Sequence, residues 1–276
     1  MSQNEVPGLV RPSPTAETRP DCVVLAGGLG TRMLPKTETV PKVLLSVAGR
    51  PFLAWQLQLL FSAGVGRVVL SVGHMAEKVA EFLHSSGHFE GPVDLVADGD
   101  ELLGTGGAVR RVLDLGKVGA RFLLTFGDSF LPIDHAAVFS RFHASQKPAL
   151  MTVFRNEGRW DTSNVAYADG MVSLYDKTRS HPGILGATSG RGFEYIDYGL
   201  SALTAEVVRE AFPAGQKGDL ATMFHALSLR GDLAGFEASE RFYEIGSPQG
   251  LDDLEERLSR EAGFPLFDIP AHGRPD

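Results

Sequence analysis

Glycines, an arginine and a lysine near the start of the chain have the types and spacing that a polyphosphate site requires. Residues 25–32 read Leu-Ala-Gly-Gly-Leu-Gly-Thr-Arg, and Lys42 follows Arg32 by ten positions, directly after Pro41. Glycines in a turn let backbone N–H groups approach an anion without interference from a Cβ atom. Arg32 can donate paired hydrogen bonds to phosphate oxygens, and Lys42 is a point charge whose approach is stiffened by the fixed φ of Pro41. These residues predict a triphosphate-binding site.

The glycine turn (residues 27–30) differs from two common nucleotide-binding motifs. Residues 28–33 lack the third glycine of the dinucleotide-binding fingerprint, and the chain contains no Walker A run. Glycines alone favour a plain tight turn with surface cations about as strongly as an anion site. Arg32 and the pair Pro41-Lys42 shift the balance toward a triphosphate.

Over roughly residues 21–262 the chain resembles the sugar-1-phosphate nucleotidylyltransferases. That family's signature is Leu-x-Gly-Gly-x-Gly-Thr-Arg-(Leu/Met)-x-Pro-x-Thr followed by Pro-Lys, and Met33, Pro35 and Thr37 fall in place as well. Within the family the chain looks most like the branch that acts on heptose 1-phosphates and related sugars, of which guanylyltransferases are the best-known members. The resemblance continues through residues 103–108, 127–128, 176–177, 197–199 and 243–248.

The resemblance implies attack by an oxygen of a sugar 1-phosphate on the α-phosphorus of a nucleoside triphosphate, with pyrophosphate leaving. Because the nucleophile is already an anion, the task is to align two polyanions and to neutralise charge in the transition state. Arg32 would stabilise the departing phosphates, Lys42 the α-phosphate and the nucleophile, and Lys177 the sugar phosphate from the opposite half. A solvated turn lysine is the alternative for Lys177.

Asp128 and Glu244 are the predicted ligands of Mg²⁺, the expected cofactor. Each follows or ends a run of apolar residues that predicts a strand, so both carboxylates are presented at strand ends. Mg²⁺ is usually bound by one or two carboxylates plus phosphate oxygens and water. A turn-capping role is the alternative for Asp128. Glu244 stands where the family more often has aspartate, and its longer side chain can bind the ion directly or through water.

The predicted nucleotide site combines the glycine turn with residues 98–107. Guanine offers N1–H and N2–H₂ donors, which the carboxylates of Asp98, Asp100 and Glu101 can accept. The stretch contains no Gln or Asn for the mixed edge of uracil, so GTP is favoured over UTP, with an ordinary solvated acidic loop as the alternative. The predicted nucleotide-binding residues are Leu25, Ala26, Gly27, Gly28, Gly30, Thr31, Arg32, Glu101, Gly104, Thr105 and Gly106.

The sugar phosphate is expected in the second half of the domain, residues 148–247, opposite a nucleotide-binding half of residues 21–147. Asn164 and Asp197 are candidate partners for sugar hydroxyls, and Lys177 and Glu244 complete the predicted sugar-phosphate site. A heptose-like sugar is favoured by the resemblance alone.

Apolar runs in the first half alternate in the manner of βα units, which predicts a mostly parallel sheet with helices on both faces and ligands at the carboxyl ends of its strands. Short turns separate the predicted strands of the second half, which indicates a mixed sheet with antiparallel additions. The resemblance implies the Rossmann-like nucleotide-diphospho-sugar transferase fold, and the absence of a hexapeptide repeat argues for one domain without an appended β-helix. Predicted strands are residues 21–26, 67–72, 93–97, 121–126, 149–154, 165–168, 171–175 and 194–200. Predicted helices are 51–62, 76–83, 105–113, 219–229 and 248–262, the last two flanking a strand pair that ends at Glu244.

Composition bounds the remaining possibilities. The 276 residues can bury the core of one α/β domain, and a formal net charge of −8 argues against nucleic-acid binding. The single cysteine, Cys22, is predicted to be a core residue. Residues 1–20 carry four prolines and no signal-like apolar run, so a disordered tail is expected there and an irregular tail at 263–276. We expect a cytoplasmic protein without membrane partners, and the sequence leaves open whether it forms a homo-oligomer.

Two other classes of function stay open at this point. A catalytically silent sugar-nucleotide sensor would keep the glycine turn, although every charged motif position is occupied here. A nucleotide-binding structural subunit of a larger assembly would find support only in the tails.

Overall fold

The computed structural model of this chain describes residues 19–86, 89–99, 102–156, 158–160, 162–178 and 193–260. The predicted tails lie outside these residues except for Arg19 and Pro20, as do Asp100 and Glu101.

A nine-stranded mixed sheet forms the centre of the molecule, in the order β5-β4-β1-β6-β11-β8-β12-β10-β9. Two small antiparallel pairs, β2-β3 and β7-β13, lie outside it. The strands are β1 (Asp21–Ala26), β2 (Ser46–Val47), β3 (Arg50–Pro51), β4 (Arg67–Val72), β5 (Val93–Ala97), β6 (Arg121–Phe126), β7 (Ser129–Phe130), β8 (Ala149–Arg155), β9 (Val165–Ala168), β10 (Met171–Tyr175), β11 (Tyr195–Thr204), β12 (Leu233–Ala238) and β13 (Tyr243–Glu244).

Seven α-helices surround the sheet in the described part of the chain. They are α1 (Phe52–Ser62), α2 (Ala76–Ser85), α3 (Gly104–Asp114), α4 (His135–Ser145), α5 (Ala205–Ala211), α6 (Leu220–Leu229) and α7 (Pro248–Arg260). The helices α3, α5 and α6 pack on one face and α1, α2 and α4 on the other. Strand β1 shows why both faces are covered, because its side chains alternate between them. Val23 packs in the core on the side of α3, α5 and α6, and Cys22 and Val24 pack in the core on the side of α1, α2 and α4. The α/β fold class predicted from the sequence is therefore confirmed.

The two halves of the sheet differ in strand direction. Strands β5, β4, β1 and β6 are all parallel, as the predicted βα units require. Strand β11 runs antiparallel to both β6 and β8, and β8 is parallel to β12. Strand β9 pairs with β10 and also meets β11 at Tyr195, so the last five strands close into a ring.

This topology brings the functional ends of both halves to one edge of the sheet. The carboxyl ends of β1, β6, β8 and β12 share that edge because these strands point the same way. Tyr195, at the start of β11, pairs with Arg155 at the end of β8. Val165 pairs with both Tyr195 and Tyr175, which places the end of β10 at the same edge. Residues that follow these strand ends therefore lie along the same edge of the sheet.

Two predicted details were incomplete or wrong. Helices α4 and α5 were not predicted, although Asp134 and Thr204 cap their N-termini with side-chain hydrogen bonds. The predicted strand pair ending at Glu244 is wrong, because β12 pairs with β8 and β10 while β13 pairs with β7.

Cys22 is fully buried, and burial raises the pKa of its thiol far above the usual range, which confirms its assignment to the core. Within the described residues, no helix has the length and apolar character needed to cross a bilayer.

Candidate active site

The glycine turn leaves the end of β1 in a conformation that only glycine takes without strain. Gly30 has a φ of +64°, and a Cβ atom there would lie 3.1 Å from the Cγ2 of Thr37. The buried Thr37 hydroxyl donates to the carbonyl of Gly30 at 2.9 Å, and the backbone N–H of Met33 donates to the same carbonyl at 2.9 Å. Two residues of the same sequence motif, Met33 and Thr37, thus fix the glycine turn through the Gly30 carbonyl. Gly27, Gly28 and Gly30 of the turn line a cavity.

That cavity has a volume of about 330 Å³ and lies at the carboxyl ends of β1 and β6. Nine of the predicted site residues line it: Leu25, Ala26, Gly27, Gly28, Gly30, Lys42, Gly104, Thr105 and Asp128. Ser71, Asp98 and Leu102 line it as well. Glu101, the predicted base-binding residue, lies outside the described residues.

Asp98 is the carboxylate that the structure places at the cavity wall. It is 7% exposed, and a Cβ atom on Gly27 would come within 2.9 Å of its Oδ2. The Ser71 hydroxyl donates to Oδ1 at 3.1 Å, so one oxygen is held while the other faces the glycine turn. Burial raises the pKa of Asp98, and the Ser71 hydrogen bond and the charge of Arg111 oppose that rise. Ser71 carried no sequence signal, because a serine inside an apolar strand is common.

The second glycine motif, Gly104-Thr105-Gly106 at the start of α3, has two roles. Gly104 and Thr105 line the cavity, and Gly106 packs against neighbouring residues. Gly104 has a φ of +68°, and a Cβ atom there would lie 2.6 Å from the carbonyl oxygen of Gly218. Gly106 is buried, and a Cβ atom on it would lie 2.5 Å from the Phe212 ring. Gly106 also donates its N–H to Gly218 at 2.8 Å, so it fixes α3 rather than lining the cavity. Thr105 lines the cavity and accepts at its hydroxyl from the N–H of Leu220 at 2.9 Å.

Two cations and a carboxylate converge at the far side of the cavity. Lys42 begins a short 3₁₀ turn, Lys42–Leu44, and its ammonium forms an ion pair with Asp128. A Cβ atom on Gly246 would lie 3.3 Å from both the Lys42 ammonium and the Arg32 guanidinium. Because Gly246 has no Cβ atom, both cations can approach the chain just after β13. The side chain of Arg32 is exposed, and Thr31 beside it is exposed as well.

The β7–β13 pair brings Asp128, which directly precedes β7, beside Glu244 at the end of β13. Glu244 pairs with Ser129, and the N–H of Ile245 donates to the carbonyl of Asp128 at 2.9 Å. The backbone pairing joins residues more than a hundred positions apart, so no local pattern predicts it. Glu244 is exposed and is not one of the residues that line the cavity, whereas Asp128 lines it.

Gln56 braces the turn that carries Asp128, and sequence reasoning missed it. Its amide donates to the carbonyls of Phe126 and Ser129 at 2.8 and 2.9 Å, on either side of the Gly127-Asp128 turn. The residue is 2% exposed on the apolar helix α1, where a glutamine is out of pattern. A glutamine among the apolar residues of this helix is the feature of the sequence that could have indicated a positioning role.

The sugar-half residues form a second cluster at the same edge. The Asn164 side-chain carbonyl accepts from the N–H of Asp197 at 3.1 Å, and its backbone N–H donates to Tyr195 at 3.0 Å. The Asp197 carboxylate accepts from the N–H of Gly199 at 3.0 Å, in a stretch of β11 where the register with β8 shifts. Burial raises the pKa of Asp197 to about 6, against the opposing effects of Gly199 and the charge of Lys177. Lys177 is exposed just after β10.

Comparison with known proteins places this site in a family context. A family of MobA-like NTP transferase domains matches residues 22–191. The chain is 30% identical over 198 residues to the N-acetylmuramate alpha-1-phosphate uridylyltransferase of Neisseria meningitidis serogroup B, covering 68% of this chain and 83% of that protein. It is 30% identical over 261 residues to the glucose-1-phosphate cytidylyltransferase of Salmonella typhimurium, covering 87% of this chain and 93% of that protein. It is 28% identical over 163 residues to the D-glycero-alpha-D-manno-heptose 1-phosphate guanylyltransferase of Campylobacter jejuni, covering 59% of this chain and 71% of that protein.

Solved structures agree with the fold. HddC from Yersinia pseudotuberculosis superposes with a TM-score of 0.67 at 23% identity, covering 87% of this chain and 99% of that one. The inositol-1-phosphate CTP transferase from T. maritima gives a TM-score of 0.69 at 22% identity, covering 90% of this chain and 99% of that one.

Proposed function

We propose that this chain transfers GMP from GTP to a heptose-like sugar 1-phosphate and releases pyrophosphate. The chain belongs to the family of MobA-like NTP transferase domains and is a sugar-1-phosphate nucleotidylyltransferase. The observation that carries the transfer reaction is the convergence of Arg32, Lys42 and Asp128 beside a cavity lined by the glycine turn. Because GTP is a cytoplasmic metabolite, we also propose the cytoplasm as the site of the reaction.

The residues of the site suit an in-line displacement that needs no covalent enzyme intermediate. Backbone groups of the glycine turn face the cavity, where they can hold the triphosphate. Arg32 and Lys42 meet at Gly246, so they can share the negative charge that develops on the leaving and transferred phosphates. Lys177, at the end of β10, reaches the same edge from the sugar half and suits the phosphate of the nucleophile.

Mg²⁺ is the proposed cofactor, with Asp128 and Glu244 as its protein ligands. Among the described residues, no group of three or more His, Cys, Asp and Glu side chains could hold a metal by itself. The two carboxylates on paired strands fit an ion that takes its other ligands from phosphate and water. When bound, such an ion supplies charge neutralisation on the phosphates. Lys42 pairs with only one of the two carboxylate oxygens of Asp128, Oδ2, so the carboxylate keeps acceptor capacity for the ion.

The preference for GTP rests on Asp98. A site that recognises guanine must offer acceptors to the N1–H and N2–H₂ groups, and the Asp98 carboxylate lies at the cavity wall beside Gly27. The relatives named above are described as using uridine, cytidine and guanosine nucleotides, so the family leaves the base open. Glu101 remains a second candidate for binding the N1–H and N2–H₂ groups of guanine.

The sugar is proposed to bind at Asn164 and Asp197. The Asp197 carboxylate can accept from ring hydroxyls, and Asn164 holds the backbone of Asp197 in place. The heptose-like assignment comes from the similarity to the guanylyltransferase of Campylobacter jejuni.

Pyrophosphate release should be measured with GTP, UTP, CTP and ATP against a heptose 1-phosphate, glucose 1-phosphate and mannose 1-phosphate. We expect the highest kcat/KM with GTP, by about tenfold or more for each hydrogen bond that another base loses. Asp98→Asn should narrow the difference in kcat/KM between GTP and UTP, and Asp94→Asn, on the strand β5 that Asp98 directly follows, is the matched control. Equal use of GTP and UTP by the unaltered protein would remove the base assignment. Nucleotide binding without turnover on any pair would favour the silent sensor instead.

A further inference from the structure

A loop whose described residues are 156, 158–160 and 162–164 carries an exposed tryptophan after the end of β8. Asn156 is fully buried and donates its backbone N–H to the carbonyl of Glu194 at 3.0 Å. Its side-chain oxygen accepts from the N–H of Trp160 at 3.1 Å, and its amide donates to the Ser163 hydroxyl at 3.1 Å. The buried asparagine therefore fixes the backbone that presents Trp160.

Trp160 is 43% exposed, and among the described Phe, Tyr and Trp residues it is the only exposed one. The guanidinium carbon of Arg241 lies 3.7 Å from the centre of its ring. Arg241 is itself held, because it lies 4.4 Å from the centre of the Tyr243 ring and donates to the Asp253 carboxylate at 2.9 Å. An indole supported in this way by a fixed cation is ready to bind a ligand on its other side, with little side-chain entropy left to lose.

The position of the loop indicates which ligand that is. Asn164, at the end of the loop, bonds to Asp197 in the proposed sugar site. Tyr243, whose ring Arg241 covers, is adjacent to Glu244 on β13. The loop follows the end of β8, on the edge of the sheet where β6 also ends. Trp160 thus belongs to the sugar side of the site and not to the nucleotide cavity, whose lining does not include it.

We propose that the side of the Trp160 ring turned away from Arg241 stacks against the C–H face of the sugar ring of the substrate, which makes Trp160 a specificity residue for ring-form sugar 1-phosphates. This inference rests on the proposed function. The electron-rich face of an indole attracts the weakly positive hydrogens of an apolar surface, while hydroxyls at the ring edge remain available for Asn164 and Asp197. A phosphate on a short open chain offers no such face.

Intrinsic fluorescence can test the stacking directly, because the chain has two tryptophans, Trp55 and Trp160. Trp55 is 9% exposed and donates its indole N–H to Val47 at 2.9 Å, so a ligand at the sugar site should affect Trp160 alone. Titration with mannose 1-phosphate, glucose 1-phosphate and a heptose 1-phosphate should change the emission, and glycerol 1-phosphate should not. The change should disappear in Trp160→Phe. A change that persists in Trp160→Phe, or that glycerol 1-phosphate produces equally, would overturn the proposal.

Kinetics give an independent reading on the same variants. Trp160→Ala should raise the KM for the sugar phosphate about five- to tenfold while the KM for GTP and kcat stay near the unaltered values, and Trp160→Phe should recover most of the loss. Leu115→Ala, which shortens another exposed apolar residue on a remote helix end, is the control. An unchanged KM in Trp160→Ala would contradict the stacking even if the enzyme is active. Absence of turnover by the unaltered protein with every pair of substrates would instead contradict the proposed function.

Discussion

The two halves of the site are fixed by different means. In the nucleotide half the backbone itself forms the surface, and Gly30 and Gly104 hold positive φ values where an added Cβ atom would collide with neighbours. In the sugar half, side chains form the hydrogen bonds that fix the backbone: the Asn164 side-chain oxygen accepts from the N–H of Asp197, and the Asp197 carboxylate accepts from the N–H of Gly199. One half depends on close packing, and the other depends on a partly buried carboxylate with a raised pKa.

This difference follows from the ligands. A triphosphate presents the same charges in every substrate, so backbone groups and fixed cations suffice to bind it. A sugar presents hydroxyls in a pattern that differs from one sugar to the next, which only side chains can match. Substitutions in the nucleotide half should therefore lower turnover with every sugar, and those in the sugar half should change the KM for the sugar phosphate.

The largest effect is expected at Asp128. Asp128→Asn keeps the shape of the side chain but removes the charge that pairs with Lys42 and that the proposed Mg²⁺ requires, so kcat should fall by about 10³-fold or more. Glu244→Gln should be badly impaired and Glu244→Asp partly active. Pyrophosphate release at saturating substrate measures this, with Asp232→Asn on a surface turn as the control. Normal turnover by Asp128→Asn would refute the assignment.

The cations separate the two halves most directly. Arg32→Ala and Lys42→Ala should each lower kcat/KM by about 10² to 10³ with any sugar phosphate, because both side chains meet at Gly246 and are proposed to bind the triphosphate. Lys177→Ala should chiefly raise the KM for the sugar phosphate. Lys36→Ala, an exposed lysine in the same segment as Lys42, should be neutral. If Lys177→Ala raised the KM for GTP and left that for the sugar phosphate unchanged, the division between the halves would be wrong.

Gln56 tests whether packing positions the nucleotide half. Gln56→Leu removes the donor that braces the carbonyls of Phe126 and Ser129, so we expect kcat to fall about tenfold with both KM values little changed. The free energy of unfolding should fall by about 1 to 3 kcal/mol, since those carbonyls lose a buried donor. Gln58→Leu on the same helix is the matched control. A loss of stability with kcat unaltered would make Gln56 structural only.

The smallest effect concerns the partly buried carboxylate of Asp197 in the sugar half. Burial raises the pKa of Asp197 from 3.8 to about 6, so between these values the folded protein binds a proton that the unfolded chain does not. Stability should therefore fall as the pH rises through this window. Asp197→Asn should flatten that dependence and stabilise the protein at pH 7.5 by about 1 kcal/mol, while raising the KM for the sugar phosphate. Urea unfolding at several pH values measures the first effect, and a variant no more stable than the unaltered protein would argue against the raised pKa.

Much of the fold could be predicted because its elements are local. Strands β1, β4, β5, β6, β9 and β10 have the predicted bounds, since each is a short apolar run between residues that favour turns. Helix α4 was missed although Asp134 caps it, because a cap without a strong apolar period is weak evidence by itself.

The glycine turn, the cations that follow it and the strand ends where they lie could be predicted from the residues, because glycine's freedom at positive φ and the alternation of apolar residues act over a few positions of chain. The fold, in contrast, sets which distant groups meet. Lys42 reaches Asp128, Gln56 braces the Asp128 turn, Asp98 faces Gly27, and Arg241 covers Trp160. Each of these contacts joins residues that are tens of positions apart, and their approach depends on strand order and packing that no local pattern encodes.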